Sequence, residues 1–139
     1  MYRKILVALD NTKADRALLP HVSKLAKLTG ARLVLIHVAD GWSARLYHSL
    51  HLKESEEMNA DLAYLQKSAA LLSAQKLKVE IRLALGTPAK EILRLAKKEK
   101  CDLIAMTSHG HRIFADIILG STIDYVRHRT RIPVLAVSQ

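Results

Sequence analysis

Five short apolar runs recur along the chain, and stretches with helical spacing separate them. The first is Lys4-Ile5-Leu6-Val7-Ala8-Leu9-Asp10. Ala31 to Val38, Lys78 to Ala84, Asp102 to Met106 and Ile132 to Val137 follow. A strand buried on both faces reads as a continuous apolar run rather than an alternation. Between the runs, Ala17, Leu18, Val22, Leu25, Ala26 and Leu28 mark one helical face. Asn11-Thr12 offers that helix a cap, Gly30 a stop, and Pro20 lies inside the pattern. A long helical pattern runs from about Leu52 to Gln75. Another follows Gly86-Thr87-Pro88, with Thr87 as cap, Pro88 at the first position and Ile92, Leu93, Leu95 and Ala96 inward. A last helix spans Ser121 to about Arg129. Residues 39–52 show no clean period and read as a loop. Strand and helix in alternation predict an α/β fold. The expected form is a doubly wound, five-stranded parallel sheet of order 3-2-1-4-5, Rossmann-like, with helices on both faces. With no internal repeat or linker, residues 1–139 read as one domain.

Composition narrows the class. Half of the residues are hydrophobic but only six are aromatic, so the core has to be aliphatic. The one cysteine, Cys101, has no partner for an internal disulfide and fits a reducing compartment. No apolar run approaches the roughly 20 residues of a membrane helix, and no signal-peptide pattern opens the chain, so a cytoplasmic location is expected. The 22 Lys and Arg against 13 Asp and Glu suit an anionic partner, although most of the lysines recur on helical faces that solvent would cover.

Ligands of open parallel sheets sit outside the carboxyl ends of the strands, where the strand order reverses. In a 3-2-1-4-5 sheet the turns after Leu9 and after Met106 should therefore face each other. Asp10 marks the first turn. After the second comes Thr107-Ser108-His109-Gly110-His111-Arg112, and later Leu119-Gly120-Ser121-Thr122 opening a helix. Glycines let the backbone approach an anion, and a helix start presents free N–H groups and the positive dipole end. Ser121 and Thr122 add hydroxyls, Arg112 and the two histidines add charge, and Asp10 is placed to accept from sugar hydroxyls. Gly120-Ser121 is also an ordinary helix start. Neither a P-loop nor a Gly-x-Gly-x-x-Gly fingerprint is present.

These pieces resemble a universal stress protein domain over essentially the whole chain. The resemblance rests on Ile5 to Asp10, Gly86-Thr87-Pro88, Asp102 to Met106 and Ile132 to Val137. Its most specific part is the family's nucleotide motif: Gly, two residues, Gly, nine residues, Gly, then Ser or Thr. Gly110, nine residues and Gly120-Ser121 match it, and Thr107 replaces the first glycine. The resemblance implies binding of ATP or AMP, with Mg²⁺ or Mn²⁺ on the phosphates. It implies that Ala8, Leu9 and Val38 line the adenine and that Asp10 holds the ribose or the metal-phosphate cluster. It places Met106, Thr107 and Gly110 beside ribose and phosphates, and Gly120, Ser121 and Thr122 at the phosphates, where Arg112 adds charge. No metal ligand set comes from the protein itself beyond Asp10 through such a cluster. At the Thr107 position a β-branched residue resists positive φ, whereas in extended conformation its hydroxyl can serve the site. The family contains ATP-binding members and members without the motif. It further implies a homodimer, which the apolar edge Val134, Leu135, Ala136 and Val137 suits.

Other features carry less. His48 and His51 lack the carboxylate or cysteine cluster of a metal site. His37 reads as a satisfied residue in or at the end of the sheet. Cys101 reads as a buried structural thiol, with Lys97, Lys98 and Lys100 near enough to lower its pKa. Arg127-His128-Arg129 with Arg131 suits a helix C-terminus, and without aromatic interleaving nucleic-acid binding is not expected. No nucleophile–base pair stands out, so no catalytic residue is assigned. The expected function is a nucleotide-binding, stress-response regulatory dimer. The alternatives are a nucleotide-free interaction dimer of the same family and a slow ATPase.

Overall fold

The computed structural model describes residues 1–40, 51–108 and 122–138. Five parallel strands form one sheet: β1 (Lys4–Ala8), β2 (Arg32–Asp40), β3 (Val79–Gly86), β4 (Leu103–Ser108) and β5 (Val134–Ser138). Their order is β3-β2-β1-β4-β5, as the alternation predicts. Ile5 pairs with Leu33 on one side and Leu103 on the other, so β1 is the central strand. Among the described residues the helices are α1 (Asp15–Thr29), α2 (His51–Ser73), α3 (Pro88–Lys98) and α4 (Thr122–His128).

Alternation of side chains along the strands builds two aliphatic cores. Ile5 and Val7 of the first strand and Leu9 just past it, with Leu33 and Leu35, pack under Leu18 and Val22 of α1 and Leu65 and Leu72 of α2. Leu6, Ala8, Val34, Ile36, Ile104 and Met106 pack under Ile92 and Leu95 of α3 and Val126 of α4. Both faces are covered, which is why the central strands read as continuous apolar runs.

Local chemistry sets the element ends. Gly30 stops α1 in left-handed conformation (φ 73°), its N–H donating to the Ala26 carbonyl at 2.8 Å. Gly86 has φ 141°, and a Cβ there would stand 3.1 Å from Glu91 Cγ, so the β3–α3 turn requires glycine. Pro88 opens α3, and Thr87 sits at its N-cap in extended conformation without a side-chain cap bond. Asp102 tethers the start of β1 by accepting from the amides of Arg3 and Lys4 at 2.9 and 3.1 Å.

Several boundaries depart from the sequence reading. α1 begins at Asp15, after Ala14, and Asn11-Thr12 does not cap it; the Thr12 hydroxyl accepts from Ala14 N at 3.3 Å within the turn. Pro20 lies inside α1, five residues past its start. β2 continues through Ala39 and Asp40, which the loop reading had excluded, because both pair with β3. β4 likewise continues through Thr107 and Ser108, paired with Val137 and Ser138. Residues 41–50 of the expected loop, His48 among them, lie outside the described residues.

Candidate functional site

The ends of β1 and β4 meet as the switch-point rule requires. Thr107 Oγ1 donates to Asp10 Oδ2 at 3.2 Å. Asp10 is exposed, whereas Thr107 is buried within β4. Because Thr107 is extended, the position has no need of the positive φ that would favour glycine. Its hydroxyl is turned instead to the carboxylate across the strand gap.

The turn that carries Asp10 is held from beneath. Asp15, 1% exposed at the start of α1, accepts from the amides of Asp10 and Asn11 at 3.0 and 2.9 Å. Tyr64 of α2 donates its hydroxyl to the same carboxylate at 2.5 Å. A buried carboxylate needs such partners, and three donors supply them. Burial, then the hydrogen bond and charge of Asp15, push the Tyr64 phenol well above its ordinary range. Asn11 adopts φ 59°, a conformation asparagine tolerates better than most residues. Its side-chain amide donates to Asp61 Oδ1 of α2 at 3.1 Å. Asp61 Oδ2 lies 3.3 Å from His37 Nε2, and His37 Nδ1 lies 2.9 Å from the Leu9 carbonyl. His37 is thus the satisfied sheet-end histidine that its place in the sequence suggests.

The other expected site residues take varied places. Ala8, Leu9 and Met106 are buried, and Val38 is half-buried against the second core. Leu9 turns its side chain into the α1–α2 core, and its backbone N–H donates to the Ile36 carbonyl at 2.8 Å. Thr122 opens α4 and makes no side-chain hydrogen bond among the described residues. Gly110, Arg112, Gly120 and Ser121, with His109 and His111, lie outside the described residues. Asp15, Tyr64, Asp61 and Asn11 were not singled out from sequence. Their signal is tertiary, since the Tyr64–Asp15 contact spans 49 positions and the Asn11–Asp61 contact 50.

The model for the universal stress protein family matches residues 1–138. The chain belongs to that family. Universal stress protein MJ0577 of Methanocaldococcus jannaschii is 28% identical over 156 residues, spanning 100% of this chain and 96% of its own. Its solved structure superposes with a TM-score of 0.87 at 27% identity, covering 100% of this chain and 97% of that one. Universal stress protein D of Escherichia coli is 30% identical over 115 residues, 78% of each chain. A universal stress protein solved in complex with cAMP shares the fold at 22% identity and a TM-score of 0.73, covering 99% of this chain and 97% of that one.

Two remaining expectations of this universal stress protein concern chemistry away from the sheet end. Cys101 is buried, as a structural thiol should be, and burial pushes its thiol up to about 11. No helix among the described residues is long and apolar enough to cross a membrane.

Proposed function

We propose that this universal stress protein binds an adenine nucleotide, ATP or AMP, at the carboxyl ends of β1 and β4 and works as a dimeric stress-response regulator. The observation that carries the reading is the Asp10–Thr107 contact, which joins the two strand ends at the point where the strand order reverses. In this reading Asp10 accepts from the ribose hydroxyls. The backbones of Ala8, Leu9 and Val38 border the base. Met106 and Thr107 flank the ribose. Gly110, Arg112, Gly120, Ser121 and Thr122 hold the phosphates, a role that rests on their spacing and on the chemistry of a helix start. The family includes a member solved with cAMP and one from Archaeoglobus fulgidus solved with dAMP, which supports an adenine ligand.

Among the described residues no three His, Cys, Asp or Glu side chains gather as a metal site. In this reading a divalent cation would be carried by the nucleotide phosphates, where Asp10 can take part, and would neutralise phosphate charge there. The dimer would form along β5, whose outer edge is unpaired among the described residues and carries Val134, Leu135, Ala136 and Val137.

The test is ligand identity. Protein purified without added nucleotide is denatured and the supernatant analysed by chromatography and mass spectrometry. ATP with Mg²⁺ is then titrated into emptied protein. Bound ATP or AMP that disappears in Gly120→Val supports the reading. No bound nucleotide and no heat of titration would overturn it in favour of a nucleotide-free interaction dimer.

A further inference from the structure

His37 stands between two oxygen atoms that can only accept. Its Nδ1 lies 2.9 Å from the Leu9 carbonyl oxygen and its Nε2 lies 3.3 Å from Asp61 Oδ2. A carbonyl has no proton to give, and neither does an ionised carboxylate. A neutral imidazole carries one N–H, so it satisfies one contact and turns a lone pair toward the other oxygen. The imidazolium alone donates to both. The pair is largely withdrawn from solvent, with side-chain exposures of 14% for His37 and 18% for Asp61.

The two contacts bracket the proposed site. Leu9 precedes Asp10 and Asn11 follows it. His37 holds the first through its carbonyl, and Asp61 holds the second through Oδ1. A chain of contacts therefore runs from Leu9 through His37 and Asp61 to Asn11, closing a loop around Asp10. Asp15 and Tyr64 support the same turn through its amides, and the His37 link is the part that depends on a ring proton.

We propose that His37 is a positioning residue of the nucleotide site, acting as an imidazolium that clamps the Leu9–Asn11 turn to α2. The role rests on the reading of the site given above. Among the described residues Asp61 of α2 is the group at ion-pair distance from the ring. Among the described residues, Asp10 and Asp15 at the turn and Tyr64 of α2 are the other titratable groups of this network, and β3 presents Leu83 as the register partner of His37. Loss of the ring proton breaks one of the two bonds and leaves the turn tied to α2 only through Asn11–Asp61 and Asp15–Tyr64. Nucleotide affinity then falls once the ring proton is lost.

The experiment compares the full chain with Asp61→Asn and His37→Gln. ATP with Mg²⁺ is titrated calorimetrically at several values between about pH 5.5 and 8.5, the range in which histidine changes charge. The titrations of the ATP phosphate and of the other histidines are common to all three proteins, so the ratio of affinities isolates the clamp. Asp61→Asn keeps an oxygen for Asn11 and removes the charge facing His37. At the acid end the unsubstituted protein should bind about tenfold more tightly than Asp61→Asn, as the loss of one charge-assisted hydrogen bond implies. The ratio should shrink to within about twofold at the alkaline end, once the ring proton that the clamp needs is lost. A ¹⁵N spectrum of the unsubstituted protein should show both His37 ring nitrogens protonated at the acid end, with the Asp10 and Asn11 amide shifts following the same titration. That readout needs no variant, should His37→Gln not fold. A ratio that does not change with pH, or Asp10 and Asn11 amides indifferent to the His37 titration, overturns the clamp alone. Absence of ATP binding at every pH overturns the nucleotide reading, and the positioning role with it.

Discussion

Thr107 reaches across from β4 to give a hydrogen bond to Asp10 at the end of β1, 3.2 Å between Oγ1 and Oδ2. The family motif has glycine where this chain has threonine, and the hydroxyl now contributes a contact that no glycine supplies. Thr107→Val keeps the β-branched shape and removes the donor. Affinity for ATP should fall by about threefold to tenfold while folded stability changes by about 1 kcal/mol or less. Calorimetric titration beside urea unfolding separates the two effects. Unchanged affinity would show that Asp10 does not depend on Thr107. Thr107→Gly should instead lower stability by about 1 kcal/mol, because glycine in a strand interior adds chain entropy to the unfolded state.

Asp15 is the structural anchor of the same turn, and its replacement should be felt in stability first. Asp15→Asn exchanges a charged acceptor for a neutral amide that also brings donors into a site already full of donors. A loss of about 2 kcal/mol is expected in urea melts, and Tyr64→Phe should lose about 1 kcal/mol. The alkaline limb gives a second readout. The Tyr64 pKa is raised in the folded protein, by burial first and by Asp15 next, above its ordinary 10.0. The unfolded chain therefore releases this proton before the folded one does. Stability from this group is complete below pH 10 and declines above it. Tyr64→Phe should decline less steeply than the unsubstituted protein over that limb.

The fold was legible because both sheet faces are buried. Continuous aliphatic runs such as Ile5 to Leu9 announced central parallel strands, and Gly30 and Pro88 announced helix ends. The meeting of Asp10 and Thr107 was legible because strand order alone brings their turns together. Boundaries were less so: Asp40 and Ser108 are strand residues by virtue of their partners Gly86 and Ser138, and pairing has no local signature. The anchors of the turn were hidden for a related reason. Asp15 reads as an acidic residue in a helix first turn, where the dipole alone would favour it. Tyr64 and Asp61 read as ordinary positions of a long helix. Their role appears once α2 lies over β2 and β3.

Cys101 should be inert near neutral pH. It is 5% exposed, and burial raises its thiol to about 11 against the opposing pull of Lys4. A maleimide or disulfide reagent should react with native protein far more slowly than with protein in urea. Sign follows from linkage: the folded-state value lies above the ordinary 9.0, so the contribution to stability is complete below pH 9 and is lost as pH rises toward 11. The loss should amount to about 3 kcal/mol, two pKa units in free energy. Cys101→Ala should remove that slope and leave the Tyr64 limb in place. Rapid labelling of the native thiol at neutral pH would contradict the burial argument.

A second polar cluster sits at the opposite end of the sheet and should govern stability without touching ligand affinity. Glu99, at the end of α3, receives Lys4 Nζ at 3.0 Å and Arg82 Nε at 2.8 Å. Glu80 lies 3.7 Å from Lys4 and 3.4 Å from Arg32. The contacts tie α3 to the start of β1 through Lys4 and to the middle of β3 through Arg82. The Lys4 hydrogen bond, with help from Arg82 and against burial, holds the Glu99 carboxyl below its ordinary 4.5. Its contribution is present above pH 4.5 and is lost as pH falls below that value, because the unfolded chain takes up the proton first. Glu99→Gln should lower stability at neutral pH by about 1 kcal/mol, a figure kept small by the partial exposure of Lys4 and Arg82. The variant should lose less than the unsubstituted protein on acidification, so the two curves converge below pH 4. Its ATP affinity should match the unsubstituted protein. A shift of more than about twofold would mean that the two ends of the sheet are coupled, since sites this far apart are otherwise additive.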